Sequence, residues 1–192
     1  MIDPTPAILA GRSAWQYNGT ARPDFAEPVA AGQESVWDYP RPPRQELRPE
    51  QVEIRLGDTL IASSRGAIRV LETASAPTWY LPPEDVHQEL LTASGSQSLC
   101  EWKGLAQGLR FAAGMVVDGS GERAATGDVG WRYVRVFPEF AKLYLWYAFY
   151  PQRVDCYVAG ERMQAQPGGY YGGWVAANMI GPIKGAPGSS NW

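Results

Sequence analysis

Glycine and proline recur so closely along this chain that long regular segments have little room: 21 Gly and 16 Pro are spread over 192 residues. Gly punctuates structure by admitting positive φ, and Pro by fixing φ and removing a donor. Set among 8 Trp, 10 Tyr and 5 Phe, this density of turn formers and flat rings predicts a mainly β protein. The expected form is a compact antiparallel single domain with one or two short helices. A chain of this length buries roughly 70% of its unfolded surface, so it builds a core without staples. An apolar content of 45% with 19% charged residues excludes whole-chain disorder. The net charge of −3 supplies no basic field for nucleic acid or an anionic membrane. No apolar stretch approaches the ~20 residues of a membrane helix. Met1–Pro6 lacks the charged start and apolar run of a secretory signal, so the expected compartment is cytoplasmic. Cys100 and Cys156 belong to no C-x-x-C pair; they read as thiols, and no metal site is expected.

Residues 1–33 show neither a period of two nor one of 3.6 and read as an irregular N-terminal arm that Trp15 and Tyr17 anchor. The rest, 34–192, reads as one β-rich domain. In Trp37-Asp38-Tyr39-Pro40-Arg41-Pro42-Pro43-Arg44 the prolines forbid a helix and favour an extended run with rings and Arg facing outward. Val52, Ile54 and Leu56 alternate with Glu53 and Arg55 before a Gly57-Asp58 turn, which predicts a hairpin returning through Thr59–Ala62. Ala67–Glu72 is a further strand. Pro83, Glu84 and Asp85 open a predicted short helix to about Leu91, and Thr92–Ser98 reads as a loop. Further strands are expected at Leu99–Lys103, Leu109–Val117, Trp131–Val136, Leu143–Phe149 and Val154–Val158, with a loop at Asp118–Gly121. Segments 37–62 and 131–165 echo each other as W-x-Y followed by an apolar–acid hairpin, a candidate pseudo-repeat that gives Cys156 the core position of Ile54. The tail from Gln166 has too much Gly for a regular element; it reads as a loop that approaches backbone closely or lines a site.

The chemistry-bearing candidates follow from strand alternation. Val70 and Glu72 share a face, so Glu72 is drawn to the apolar side, where it needs a partner. Glu101 and Lys103 share a face opposite Cys100 and Trp102. Together Glu72, Glu101 and Lys103 are the candidate catalytic or anchoring groups on the floor of a pocket. Tyr170, Tyr171 and Trp174, with Trp37, Tyr39 and Tyr80, are candidates for an aromatic wall. Lys184, Arg41 and Arg69 are candidate cations for an anionic group, in keeping with 14 Arg among 17 basic residues. His87 sits apart from these groups and reads as a surface or packing residue.

Several strings resemble a known family. They include Val36-Trp37-Asp38-Tyr39-Pro40, Arg69-Val70-Leu71-Glu72-Thr73 and Cys100-Glu101-Trp102-Lys103-Gly104. Tyr170-Tyr171-Gly172-Gly173-Trp174 and Gly181-Pro182-Ile183-Lys184-Gly185 follow in order. The chain is similar, from about residue 36 to 185, to the bacterial and fungal family catalogued as domain of unknown function 427. The resemblance implies an antiparallel β-tent-like fold. β-tent domains often hold zinc through cysteine pairs; this chain has none, so no metal is implied. Ser75 stands where the family usually has His. One label for the family suggests nucleotidyl transfer, yet the chain has neither a Gly-Ser with a downstream Asp-x-Asp nor a P-loop.

The expected function is binding of a small organic ligand in a pocket with aromatic walls and a Glu/Lys floor, without a cofactor. One alternative is a metal-independent enzyme using Glu72, Glu101 and Lys103 for acid–base or group-transfer chemistry. The other is a protein-interaction module working through the Pro-rich segment 40–49.

Overall fold

The computed structural model describes residues 1–112, 127–189 and 191–192. Its elements run in chain order from one helix, α1 (Pro6–Ser13), through β1 (Glu34–Ser35), β2 (Arg44–Arg48), β3 (Val52–Leu56) and β4 (Thr59–Ser64). Next come β5 (Ala67–Leu71), β6 (Thr78–Tyr80), β7 (Leu91–Cys100), β8 (Gly104–Phe111) and β9 (Gly130–Val136). Six short strands complete the chain: β10 (Tyr147–Phe149), β11 (Asp155–Val158), β12 (Glu161–Arg162), β13 (Gln164–Ala165), β14 (Trp174–Val175) and β15 (Met179–Ile180). The protein is mainly β and its sheets are overwhelmingly antiparallel, as the sequence predicts.

Two four-stranded sheets, in the orders β12-β11-β3-β4 and β10-β9-β8-β7, stand beside a three-stranded sheet, β2-β5-β6. A pair of reciprocal backbone bonds between Leu81, just after β6, and Tyr147 of β10, at 2.8 and 2.9 Å, links the three-stranded sheet to the second of them. In the first sheet two hairpins lie side by side. Ile54 of β3 faces Cys156 of β11 across the ladder, and both are fully buried. The β3–β4 hairpin turns at Gly57-Asp58, where Gly57 takes φ +54°; without a Cβ it enters that region at little cost. Alternation in β3 is borne out residue by residue: Val52, Ile54 and Leu56 are buried and Glu53 and Arg55 only partly. They pack with Leu81, Leu109, Phe149 and Trp174 in the largest core cluster.

Several local expectations give way to tertiary structure. Residues 92–98, read as a loop, lie in β7, an edge strand paired with β8 and bulged between Ala93 and Gln97. Most of that strand is exposed, so no apolar alternation marks it; ladder bonds to β8 hold it. The strand expected over Leu99–Lys103 stops at Cys100, because residues 101–103 form the turn into β8. The predicted helix after Pro83 is two single 3₁₀ turns, Pro83–Asp85 and Gln88–Leu90. Leu143–Phe149 is a strand only from Tyr147; Leu145 takes φ +62° in the preceding turn. The end of the Leu109–Val117 strand and the Asp118–Gly121 loop lie outside the described residues.

The N-terminal arm contains the unpredicted helix α1, with Thr5 as N-cap accepting from Ile8 N. Arg12 anchors it: the guanidinium lies over the rings of Trp102 and Phe137, 5.1 and 4.8 Å from their centroids. Its Nε donates to the Glu101 carbonyl at 2.7 Å. Further along the arm, Glu27 N donates to Gly181 O at 3.1 Å, tying the arm to the tail.

Candidate functional site

A cavity of about 560 Å³ opens between β5–β6, the β7–β9 face, the arm and the Gly-rich tail. Strand alternation builds its floor. Val70 and Glu72 line it, on the same side of the chain as expected, whereas Arg69 points away and is bound by Glu34 and Glu46 at 2.9 and 2.8 Å. Cys100, Glu101 and Lys103 all line the cavity while Trp102 is buried in the core. Two-fold alternation would not deliver that arrangement; the turn at 101–103 does.

Glu72 is the centre of the floor. One carboxylate oxygen lies 3.4 Å from Arg41 Nε and the other 3.4 Å from Lys103 Nζ. The Arg41 side chain is only 2% exposed and the Glu72 side chain 19%, so their attraction is little screened. Arg41 gives three further N–H groups to the backbone oxygens of Tyr17, Thr73 and Trp192. It fixes Glu72 from behind. Burial pushes the Arg41 guanidinium down from its ordinary value, against the pull of Glu72. For Lys103 burial also opposes the charge, but Cys100, Glu72, Tyr80 and Glu101 outweigh it and hold the ammonium protonated.

The arm supplies one wall. Trp15 donates Nε1 to Glu101 Oε1 at 3.2 Å, and its ring carries two cations, Arg41 Cζ at 4.2 Å and Lys184 Nζ at 3.9 Å. Lys184 Nζ also donates to the Trp192 backbone oxygen at 2.8 Å. Burial, aided by Arg41, brings the Lys184 amine down to about 8, with Glu72 and Glu101 pulling the other way.

The opposite wall is aromatic. Trp131 and Tyr150 tilt together with centroids 4.6 Å apart, and Tyr80 meets Trp131 edge-on at 6.3 Å. The Trp131 ring fits there because residue 172 is Gly: a Cβ at that position would stand 2.2 Å from Trp131 Cη2. Gly168 and Gly185 serve the same end at the tail. Both have positive φ, and a Cβ on either would strike the backbone of the other's segment, Gly185 O at 2.3 Å and Pro167 O at 2.0 Å. At the mouth, Ser96 bonds Asp128 against Gly108, whose missing side chain makes the space for both.

Seven predicted site residues line this cavity: Glu72, Glu101, Lys103, Tyr80, Tyr170, Tyr171 and Lys184. Tyr170 is 74% exposed at the rim and meets Tyr171 edge-on at 5.1 Å. Trp37, Tyr39, Arg41, Arg69 and Trp174 do not line it. Trp37 is fully buried, donates Nε1 to Pro182 O at 3.1 Å and packs among Tyr17, Phe25 and Trp192. Arm and tail thus close over the segment 37–41, which turns its rings and Arg41 inward rather than to solvent. Tyr39 is buried beside it. Trp174 belongs to the main core and donates to Phe149 O at 3.0 Å, so Tyr170, Tyr171 and Trp174 do not form one cage. His87 is exposed and pairs with Glu89 at 3.1 Å. In the Pro-rich segment Pro43 is buried and Arg44–Arg48 pairs with β5 as strand β2.

The cavity also takes residues that sequence reasoning did not select: Trp15, Trp131, Tyr133 and Tyr150. Trp131 and Tyr133 form the second W-x-Y string, and Tyr150 follows Phe149 in a conspicuous Ala-Phe-Tyr-Pro run, so signals existed for three of them. Trp15 reads in the sequence as an anchor of the arm and not as a wall residue, since its long-range contact with Glu101 brings it there.

A family model described as a domain of unknown function (DUF427) matches residues 44–160. No curated protein matches the chain. The matched segment contains the Glu72–Lys103 floor and the Trp131–Tyr150 pair, whereas Trp15, Tyr171 and Lys184 lie on either side of it.

Proposed function

The chain belongs to the family of domains of unknown function 427, the model for which covers more than half of it, and from that premise we propose that it binds a small organic ligand. The ligand's flat body packs on the rings of Trp131, Tyr150 and Tyr171, and its polar group meets the Lys103–Glu72 floor. The observation that carries this reading is the cavity itself. Its volume of about 560 Å³ lies in the range of small-molecule sites, which combine apolar or aromatic walls with a few convergent polar groups. The pinning of Glu72 by Arg41 and the held amine of Lys184 favour a pre-formed site, which spares a ligand the cost of ordering it. No cofactor is required by this reading.

A second reading, acid–base or group-transfer chemistry by Glu72, Glu101 and Lys103, draws on one observation. Lys103 Nζ and Glu72 Oε2 lie 3.4 Å apart at the cavity floor, within reach of one bound molecule.

A thermal-shift screen of flat aromatic acids, amides and heterocycles tests the binding reading. A ligand at a hundred times its dissociation constant adds about 2.7 kcal/mol of stability, a shift that Trp131→Ala abolishes. A library without any such hit, or hits that Trp131→Ala leaves unchanged, contradicts it. Turnover of a hit that Glu72→Gln suppresses without loss of binding supports the second reading.

A further inference from the structure

We infer that the deep end of the cavity is a carboxylate subsite, in which Lys103 Nζ and the Tyr80 hydroxyl receive the acid group of an aromatic monocarboxylate. The inference rests on the ligand-binding reading above and names the class of ligand.

Two under-partnered donors carry it. Tyr80 is fully buried, lines the cavity, and its hydroxyl makes no well-formed hydrogen bond with any described residue, the side chains of Tyr133 and Trp131 being polar neighbours that act on it more weakly. A buried hydroxyl left in that state is costly, and an acceptor delivered by a ligand relieves the cost. Burial pushes its pKa up to about 12, so at neutral pH it has a proton to donate. Lys103, 8% exposed, also lines the cavity. Its ammonium has three N–H groups, and the described residues give it one long partner, Glu72 Oε2 at 3.4 Å.

Charge selects the acceptor. Glu72 is shared by two cations, Arg41 and Lys103. Four of the five Arg41 N–H groups go to Glu72 and three backbone oxygens and Arg41 does not line the cavity, so of the two cations on Glu72 the one that faces a ligand is Lys103. The other carboxylates along the cavity are engaged elsewhere: Glu101 accepts from Trp15 Nε1, and Asp128 accepts from Ser96. A ligand carboxylate offers a full negative charge to Lys103 and a lone pair to Tyr80 in one planar group. A neutral amide offers only the acceptor, and an ammonium is repelled. The aromatic body follows from the Trp131–Tyr150 pair and the edge of Tyr171, which leave a flat-walled space above the donors.

The test uses matched acid and amide pairs on the full chain by calorimetry at pH 7: benzoate with benzamide, 2-naphthoate with 2-naphthamide, and indole-3-carboxylate with indole-3-carboxamide. The expected result is at least one pair in which the acid binds about tenfold or more tighter than its amide, the usual weight of a charge-assisted hydrogen bond. Tyr80→Phe keeps the ring and removes only the unpartnered hydroxyl, so it folds; it weakens the acid by about tenfold and the amide by less. Lys103→Met brings the acid–amide ratio to one. Amides that bind as well as acids, or a ratio that Tyr80→Phe leaves unchanged, overturn the carboxylate subsite while the aromatic cavity stands. Failure of every acid and every amide to bind overturns the ligand-binding reading and this inference with it.

Discussion

Trp15 and Glu101, 86 positions apart, are joined by a hydrogen bond from the indole Nε1 to Oε1 at 3.2 Å. The bond makes the N-terminal arm part of the cavity wall and fixes the ring on which Arg41 and Lys184 lie. Trp15→Ala removes a half-buried ring and two cation–π contacts, and the expected loss is ~2 kcal/mol of unfolding free energy. Trp15→Phe, which keeps a ring but not the indole donor, loses less. Urea denaturation of both variants measures this. Removal of residues 1–33 is expected to lower the midpoint further while leaving the sheets folded, read by far-ultraviolet circular dichroism.

Glu72 is the counter-charge of two buried cations. Glu72→Ala leaves Arg41 and Lys103 without it, and breaking a buried pair of this kind costs about 3–5 kcal/mol. Glu72→Gln retains an acceptor and is expected to cost less. Chemical denaturation at pH 7 distinguishes them; equal stability of Glu72→Ala and wild type contradicts the assigned floor.

Lys184 gives the protein a pH dependence of definite sign. Its amine falls from the ordinary 10.5 to about 8 in the folded chain, so between those values the unfolded chain binds more protons. Stability therefore rises with pH through that window, and the penalty of a buried charged Lys184 is fully present below it. Above pH 10 the buried tyrosines Tyr80 and Tyr133 and the raised Lys103 act in the opposite sense. The stability of wild type relative to Lys184→Met is thus expected to increase from pH 8 to about 9.5, inside the range set by ordinary Lys and Tyr values. A flat difference over that range contradicts the buried amine.

The two thiols occupy different environments. Cys156 is fully buried, and burial raises its thiol well above the ordinary value. Cys100 is half-buried and lines the cavity. Iodoacetamide on the native protein is expected to label Cys100 alone, with Cys156 reacting only on unfolding, and a cavity-filling aromatic acid should slow the first step. Peptide mass spectrometry reads both.

Gly172 marks where the tail yields to the aromatic wall. Its Cβ would collide with the Trp131 ring, so Gly172→Ala displaces that ring, with an expected destabilisation of about 1–3 kcal/mol from overpacking. Loss of affinity for any aromatic ligand accompanies a change in tryptophan fluorescence.

Much of the floor was legible in the sequence because it rests on a short-range period. Val70 and Glu72 share a strand face, so the acid followed the apolar residue to the same side. The β3–β4 hairpin was legible for the same reason, with Gly57 as its turn residue. The walls were harder to read. A tryptophan's identity does not say which of its faces finds a partner, and Trp37 and Trp174 went to the core while Trp131 went to the cavity. Lys103 reached the floor through a turn where a strand was expected. Trp15 and strand β7 were hidden for different causes: Trp15 is held by Glu101, far off in sequence, and β7 by ladder bonds to the adjoining β8 with no apolar period of its own.

The most direct test of the aromatic cavity is the set of tryptophan indole N–H resonances in a ¹H–¹⁵N spectrum during titration with the aromatic acids. The Trp15 and Trp131 signals are predicted to shift on binding, while Trp37 and Trp174, whose indoles are bonded to Pro182 O and Phe149 O in the core, stay in place. Binding that moves the Trp37 or Trp174 signal and leaves Trp131 unmoved contradicts the account.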